Sequence, residues 1–114
     1  MFALNDSQKF YFYVKSTDMR KGFNGLSGLV RTGMQRNPLS GEIFIFVNKK
    51  RNMMKLLHWQ AGGFVLYFKR LEAGTFKIPK NHEKTILISY TELSMIIAGI
   101  WTKTIQKNKR FTKF

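Results

Sequence analysis

Cysteine is absent from this chain, and acids are scarce: six Asp and Glu stand against twenty Lys and Arg. The first absence excludes disulfides and thiolate metal sites. It fits a reducing compartment such as the cytoplasm. The second removes the raw material of most active sites, since only two His remain beside those six carboxylates. Apolar runs are short as well. The longest candidates, residues 43–47 and 95–101, fall far below the ~18–20 residues of a membrane span. Residues 1–10 lack the basic start of a secretory leader and are interrupted by Asp6, Gln8 and Lys9. There is no internal repeat and no long low-complexity segment.

What is present is charge on a hydrophobic framework. The formal net charge is +14 over 114 residues, yet 44% of the chain is apolar, with eleven Phe, four Tyr and two Trp. Disordered basic chains are poor in aromatics, so this one is expected to fold as a single domain. A folded protein tolerates this much self-repulsion most readily when its partner is a polyanion. Nucleic acid is the first candidate. Anionic lipid heads are a weaker alternative.

Hydrophobic periodicity gives the organisation. Residues 8–14, aromatic and β-branched, read as a strand. Ser16-Thr17-Asp18 carries helix-start chemistry, and Phe23, Leu26, Leu29, Val30 and Met34 follow at helical spacing, so a helix is expected near 20–34. Residues 43–47, apolar without alternation, predict a strand covered on both faces. Residues 48–52 read as a charged hairpin turn, 53–59 as the return strand, and 64–69 as a third strand after the turn at 61–63. Phe64, Leu66 and Phe68 should share one face of it, with Val65, Tyr67 and Lys69 on the other. Gly74 precedes a short strand at 75–78, which would complete an antiparallel meander over 43–78. Residues 86–89 form a last strand or a lead-in, with Ser89 or Thr91 capping a second helix near 91–102. The expected architecture is α+β: an antiparallel sheet of about four to five strands against the first helix. Residues 1–102 make the domain, and 103–114 a basic tail carrying Lys103, Lys107, Lys109, Arg110 and Lys113.

Several blocks, in order, carry a resemblance. Asp18-Met19-Arg20-Lys21-Gly22-Phe23 precedes Gly25-Leu26 and Asn37-Pro38-Leu39-Ser40-Gly41. Lys55-Leu56-Leu57-His58-Trp59 comes later, then Gly63-Phe64, Lys69-Arg70-Leu71-Glu72 and Gly74-Thr75-Phe76. Over about residues 8–80 this set resembles the TnpB accessory proteins (second reading frame) of the IS-sixty-six class of bacterial insertion sequences. The far larger RNA-guided nuclease that shares the TnpB name is unrelated. The resemblance implies a role in transposition beside a separate, larger transposase. It implies no catalytic residue and no cofactor. Its motif residues here are Asp18, Gly22, Phe23, Trp59, Gly63, Leu71, Glu72 and Gly74. One departure is the turn after Trp59: family members usually carry an acid there, where this chain has Gln60-Ala61-Gly62.

The residues themselves argue against autonomous strand cleavage. A two-metal recombinase needs three converging carboxylates. Of Asp6, Asp18, Glu42, Glu72, Glu83 and Glu92, Asp18 sits where helices are capped and Glu72 follows Lys69-Arg70 as their natural ion-pair partner. A tyrosine nucleophile could be sought in Tyr67 beside Lys69 and Arg70, but strand aromatics ordinarily pack. His58 and His82 lack metal spacing, and Gly62-Gly63 is a turn without the Gly-Lys-Ser/Thr of a phosphate loop.

The cations make the better case. Lys49, Lys50 and Arg51 crowd a hairpin tip, where they repel unless solvated or opposed by anions. Arg20-Lys21 would sit at a helix start, the wrong end of the dipole for positive charge. A phosphate partner accounts for that placement, as does pairing of Arg20 with Asp18 or Glu72. Lys55, Lys69 and Arg70 complete the candidate nucleic-acid-binding set, although Lys69 and Arg70 point to opposite strand faces. Trp59, Tyr67 and Phe68 are candidates for stacking on unpaired bases; core packing is the ordinary alternative. The preferred reading is a non-catalytic, DNA-binding accessory factor without cofactor or metal, associated with the nucleoid if it binds DNA. The alternative is a protein-interaction module that docks the transposase through the sheet or through an exposed edge such as 43–47.

Overall fold

The computed structural model describes residues 4–98. Within them lie strands β1 (Phe10–Tyr13), β2 (Ile43–Val47), β3 (Met53–Gln60), β4 (Gly63–Arg70) and β5 (Thr85–Ile88), with helices α1 (Phe23–Thr32) and α2 (Tyr90–Ile97). The strands form one five-stranded sheet in the order β4-β3-β2-β1-β5. The fold is α+β and the sheet is mostly antiparallel, as expected, with one addition. β1 lies parallel to β2, with Phe10 opposite Ile43 and Phe12 opposite Ile45. α1 is the crossover between them, the connection that a parallel pair requires.

Both sheet faces are covered. On one, Phe10, Phe12, Ile43, Ile45, Met54 and Leu56 pack with Leu93 and Ile96 of α2 and with Phe76. On the other, Tyr13, Phe44, Phe46 and Leu57 pack beneath Leu26 and Val30 of α1 and Met34 just past its end. The central strand β2 is therefore buried at all five positions, which is why its sequence shows no alternation.

Three expectations need correction. Residues 43–47 are not an edge: β2 is flanked by β1 and β3, and the open edges are β4 and β5. Residues 75–78 form no strand. The backbone N–H of Phe76 instead donates to Arg51 O at 2.6 Å, that of Leu71 to Asn52 O at 2.8 Å, and Phe76 is buried as a plug on the α2 face. α1 starts later than residue 20. Its N-cap is Gly22, without a side-chain cap bond, so Arg20 and Lys21 precede the helix. The helix-start chemistry at 16–18 is used otherwise: Asp18 Oδ1 accepts from Arg20 N at 2.9 Å, closing a turn. Of the two caps expected for the second helix, Ser89 is the one used, through a full capping box with Glu92. The second helix beyond residue 98 and the basic tail lie outside the described residues.

The two tight hairpins obey local rules. β3 and β4 are joined by Ala61 and Gly62, both at positive φ, the geometry of a two-residue type I′ turn. Gly62 takes that conformation without a side chain to strain it. The β2–β3 tip is held by Asn48, whose Oδ1 accepts from the N–H groups of Asn52 and Met53. Arg51 takes the left-handed conformation at φ 59° and donates its N–H to Asn48 O.

Candidate nucleic-acid interface

Strand direction decides where the charges go. β1, β2 and β4 finish at the same end of the sheet, and β3 and β5 begin there. Three connections therefore emerge at that end: 14–22, 48–52 and 71–84. The first carries Arg20 and Lys21, the second Lys49, Lys50 and Arg51, and Arg70 closes β4 beside them, opposite Met53. The opposite end carries the turn at 61–62, which has no charge, and residues 33–42, whose Arg36 and Glu42 neutralise each other at 2.9 Å.

The first two connections touch. Thr17 N–H donates to Val47 O at 2.9 Å, which seats residues 16–19 against the start of the hairpin tip. A cleft of about 480 Å³ lies between them, lined by Ser16, Thr17, Asp18, Met19, Asn48, Lys49, Lys50 and Met53. The Thr17 hydroxyl is buried and has no hydrogen-bond partner among the described residues. Lys49, Lys50 and Arg51 are exposed, as is Lys21, and their side chains form no ion pair among the described residues.

The remaining predicted site residues divide by what they hold. Arg20 grips Asp18 through its Nε and Nη2, the latter at 2.7 Å. Those hydrogen bonds, together with one from the Arg20 backbone, pull the Asp18 carboxyl down to about 2. The Arg20 side chain is nevertheless 91% exposed, so the outer edge of its guanidinium faces solvent. Arg70 pairs with Glu72 at 3.2 Å, also on the surface. Lys55 is spoken for: its Nζ donates to Met19 O at 2.8 Å and to Lys21 O at 2.9 Å. It thereby ties the Asp18–Lys21 turn to the middle of β3. Lys69, on the other face of β4, donates to Ile97 O at 2.7 Å and satisfies the end of α2.

The motif glycines and aromatics have local tasks. Gly22 caps α1, Gly63 opens β4, and Gly74 takes a positive φ in the connection to β5. Leu71 packs against the α2-face core. Trp59 meets Phe64 edge-on at 5.0 Å, and Phe64 stacks on Phe23 at 6.3 Å. Tyr67 turns to the opposite face and packs on the core. Phe68 stays 52% exposed and Phe23 46%, so Phe23 joins Phe68 at the surface although sequence reasoning did not propose it for stacking, while Phe64 is partly buried against the α1-side core. The helical spacing of Phe23 pointed only to packing. Lys15 and Lys84 also flank the basic end, since Val14 N–H donates to Lys84 O at 2.7 Å. The signal for them would have been the β1–β5 pairing.

Glu42 and His58 are held within the fold. Glu42 accepts from Arg36 and Ser40, and Arg36 lies 3.8 Å over the Tyr11 ring. His58 is buried opposite Ile43. Burial pushes its pKa below 6.5, and a hydrogen bond with the Gly41 backbone opposes that in part. Among the described residues no three His, Asp or Glu converge to hold a metal ion, and no helix is long and apolar enough to cross a membrane.

The fold and this surface define a small α+β domain whose chemistry is concentrated in cations at one end of a sheet. The model of the family described as IS66 Orf2 like protein matches residues 8–107, and the chain belongs to that family. Membership places it among insertion-sequence accessory proteins. It is similar to two uncharacterized proteins of Sinorhizobium fredii. One, y4jC, is 36% identical over 98 residues, covering 84% of each chain. The other, y4hO, is 35% identical over 97 residues, covering 85% of this chain and 84% of its own. No solved structure matches.

Proposed function

We propose that this accessory protein acts in transposition by holding DNA on the basic end of its sheet, without cutting or joining strands itself. The observation that carries the reading is the junction of residues 16–21 with the 48–53 tip. Two segments distant in sequence line one cleft there, the first through Ser16, Thr17, Asp18 and Met19 and the second through Asn48, Lys49, Lys50 and Met53, and the side chains of Lys21, Lys49, Lys50 and Arg51 form no ion pair among the described residues. Backbone phosphates supply the missing counter-charge. The outer edge of Arg20 and the exposed Arg70 extend the same surface. Lys55 and Lys69 act from behind it, as tethers. Arg51 adds support: a large cation occupies a left-handed turn position where glycine is the unstrained choice.

The test is a binding titration of the full chain against duplex DNA at several salt concentrations. With about six phosphates neutralised, log affinity falls against log salt with a slope near −5. A flat response rejects the proposal. A second reading, a module that docks the transposase, is favoured by the open edge of β4, whose backbone groups on one side have no strand partner among the described residues. Co-purification with the transposase that survives nuclease and high salt supports that reading.

A further inference from the structure

The basic end continues into an exposed aromatic surface on the α1 side of β4. Phe64, Leu66 and Phe68 share that face with Arg70, and Phe23 stacks over Phe64 from the start of α1. Phe68 and Phe23 are half exposed, and Leu87 on the far edge strand β5 is the other strand residue with a large apolar side chain left this open among the described residues. Lys55 links the aromatic and basic parts. Its Nζ lies 5.4 Å from the Phe68 ring and 2.9 Å from Lys21 O, so Phe68 sits beside the Arg20–Lys21 turn. Along the strand, Phe64 and Phe68 stand about 13–14 Å apart at the usual rise per residue.

Two cations stand at the basic end of this face, Lys21 in the turn beside Phe68 and Arg70 two residues further along β4, where it also pairs with Glu72. A duplex offers phosphates to the cations but keeps its bases stacked inside, with nothing for the rings. An unpaired strand offers both, since every base has a face that stacks on an aromatic side chain. Charge also weighs against a second copy of this chain as the occupant, because two surfaces of a +14 protein repel. We propose that the surface formed by Phe23, Phe64 and Phe68 beside Lys21 and Arg70 binds single-stranded DNA, with bases stacked on Phe68 and Phe23 and the backbone held by the cations. This rests on the nucleic-acid reading of the basic end and names the form of nucleic acid that the whole surface prefers.

Fluorescence anisotropy with a labelled oligo-dT, and with a duplex of equal length, tests it. Phe68→Ala and Phe23→Ala alter exposed rings, and melting curves would verify that both variants stay folded. Each is expected to weaken oligo-dT binding by about fivefold or more while duplex binding stays within about twofold. Phe68→Leu, which keeps apolar bulk without an aromatic face, should behave like Phe68→Ala; Phe68→Tyr should behave like the parent. Equal losses on both DNA forms, or full oligo-dT binding by Phe68→Ala or Phe68→Leu, overturns the stacking proposal, while the nucleic-acid reading of the basic end stands as long as the parent binds with a salt dependence. Absence of salt-dependent binding to either form overturns both. Undiminished oligo-dT binding by Phe68→Ala, with transposase capture lost, reassigns the aromatic surface to a protein partner and equally overturns the proposal.

Discussion

Lys55 delivers its charge to two backbone carbonyls, and so holds the most recognisable turn of the sequence against β3. Substitution by Met keeps the stem and removes both charge-assisted bonds. The expected loss is about 1–3 kcal/mol, which lowers the melting temperature by roughly 4–8 °C per kcal/mol for a domain of this size. A thermal melt of Lys55→Met decides it; an unchanged midpoint means the tether contributes nothing. His58 sets a pH response. Its folded state binds a proton less readily than the unfolded chain, so its contribution is whole above 6.5 and is lost as pH falls below that value. One unit lower, the loss is at most about 1.4 kcal/mol. Melts near about pH 7.5 and 5.5 should therefore differ for the parent and differ less for His58→Leu. Asp18 adds nothing in that interval. With its carboxyl held near 2, its stabilising pair with Arg20 is lost only as pH drops from the ordinary 3.8 toward 2.

At the level of elements, the β2–β3 tip separates stability from binding. Its backbone bonds come from Asn48, Arg51 and Asn52, and of these three residues Arg51 is the one exposed. Arg51→Gly relieves a left-handed residue, worth about 1–2 kcal/mol, less the roughly 0.4–1 kcal/mol that glycine costs through the unfolded chain. Denaturant unfolding should show equal or slightly greater stability, while DNA affinity falls. A variant that is both less stable and fully competent in binding would contradict this account of the turn. The strands were largely legible in sequence. The unbroken apolar run 43–47 marks a doubly covered strand, and the alternation over 64–69 assigns the faces that the register shows. The failures share a cause. Residues 75–78 have strand composition, but their backbone is claimed by the hairpin tip, and Asp18 is claimed by the neighbouring Arg20. Periodicity registers neither bond. Nor does it show that β1 pairs parallel to β2, a long-range choice on which the meeting of residues 16–21 with 48–53 depends. The candidate cations could be named from sequence. Which of them are spent on carbonyls, as Lys55 and Lys69 are, could not.

For the whole molecule, the expected signature is a polarity of charge along the strand axis. Replacing Lys49, Lys50 and Arg51 together with Gln removes three of the cations proposed to meet phosphate, and should reduce the magnitude of the salt slope by about 2–3 while leaving the fold intact. The same titration that yields the parent slope measures it; an unaltered slope would show that the tip stands clear of the DNA. The parallel pairing of β1 and β2 has one more implication. Because both strands discharge their connections on the same side, the tip can be lengthened without disturbing the crossover helix or either buried layer. Doubling a flexible loop adds only about 0.6 kcal/mol of closure entropy. A grafted peptide inserted between Lys50 and Arg51 would thus be displayed next to the Arg20–Lys21 turn, making this hairpin the natural port for engineering a new specificity into the scaffold.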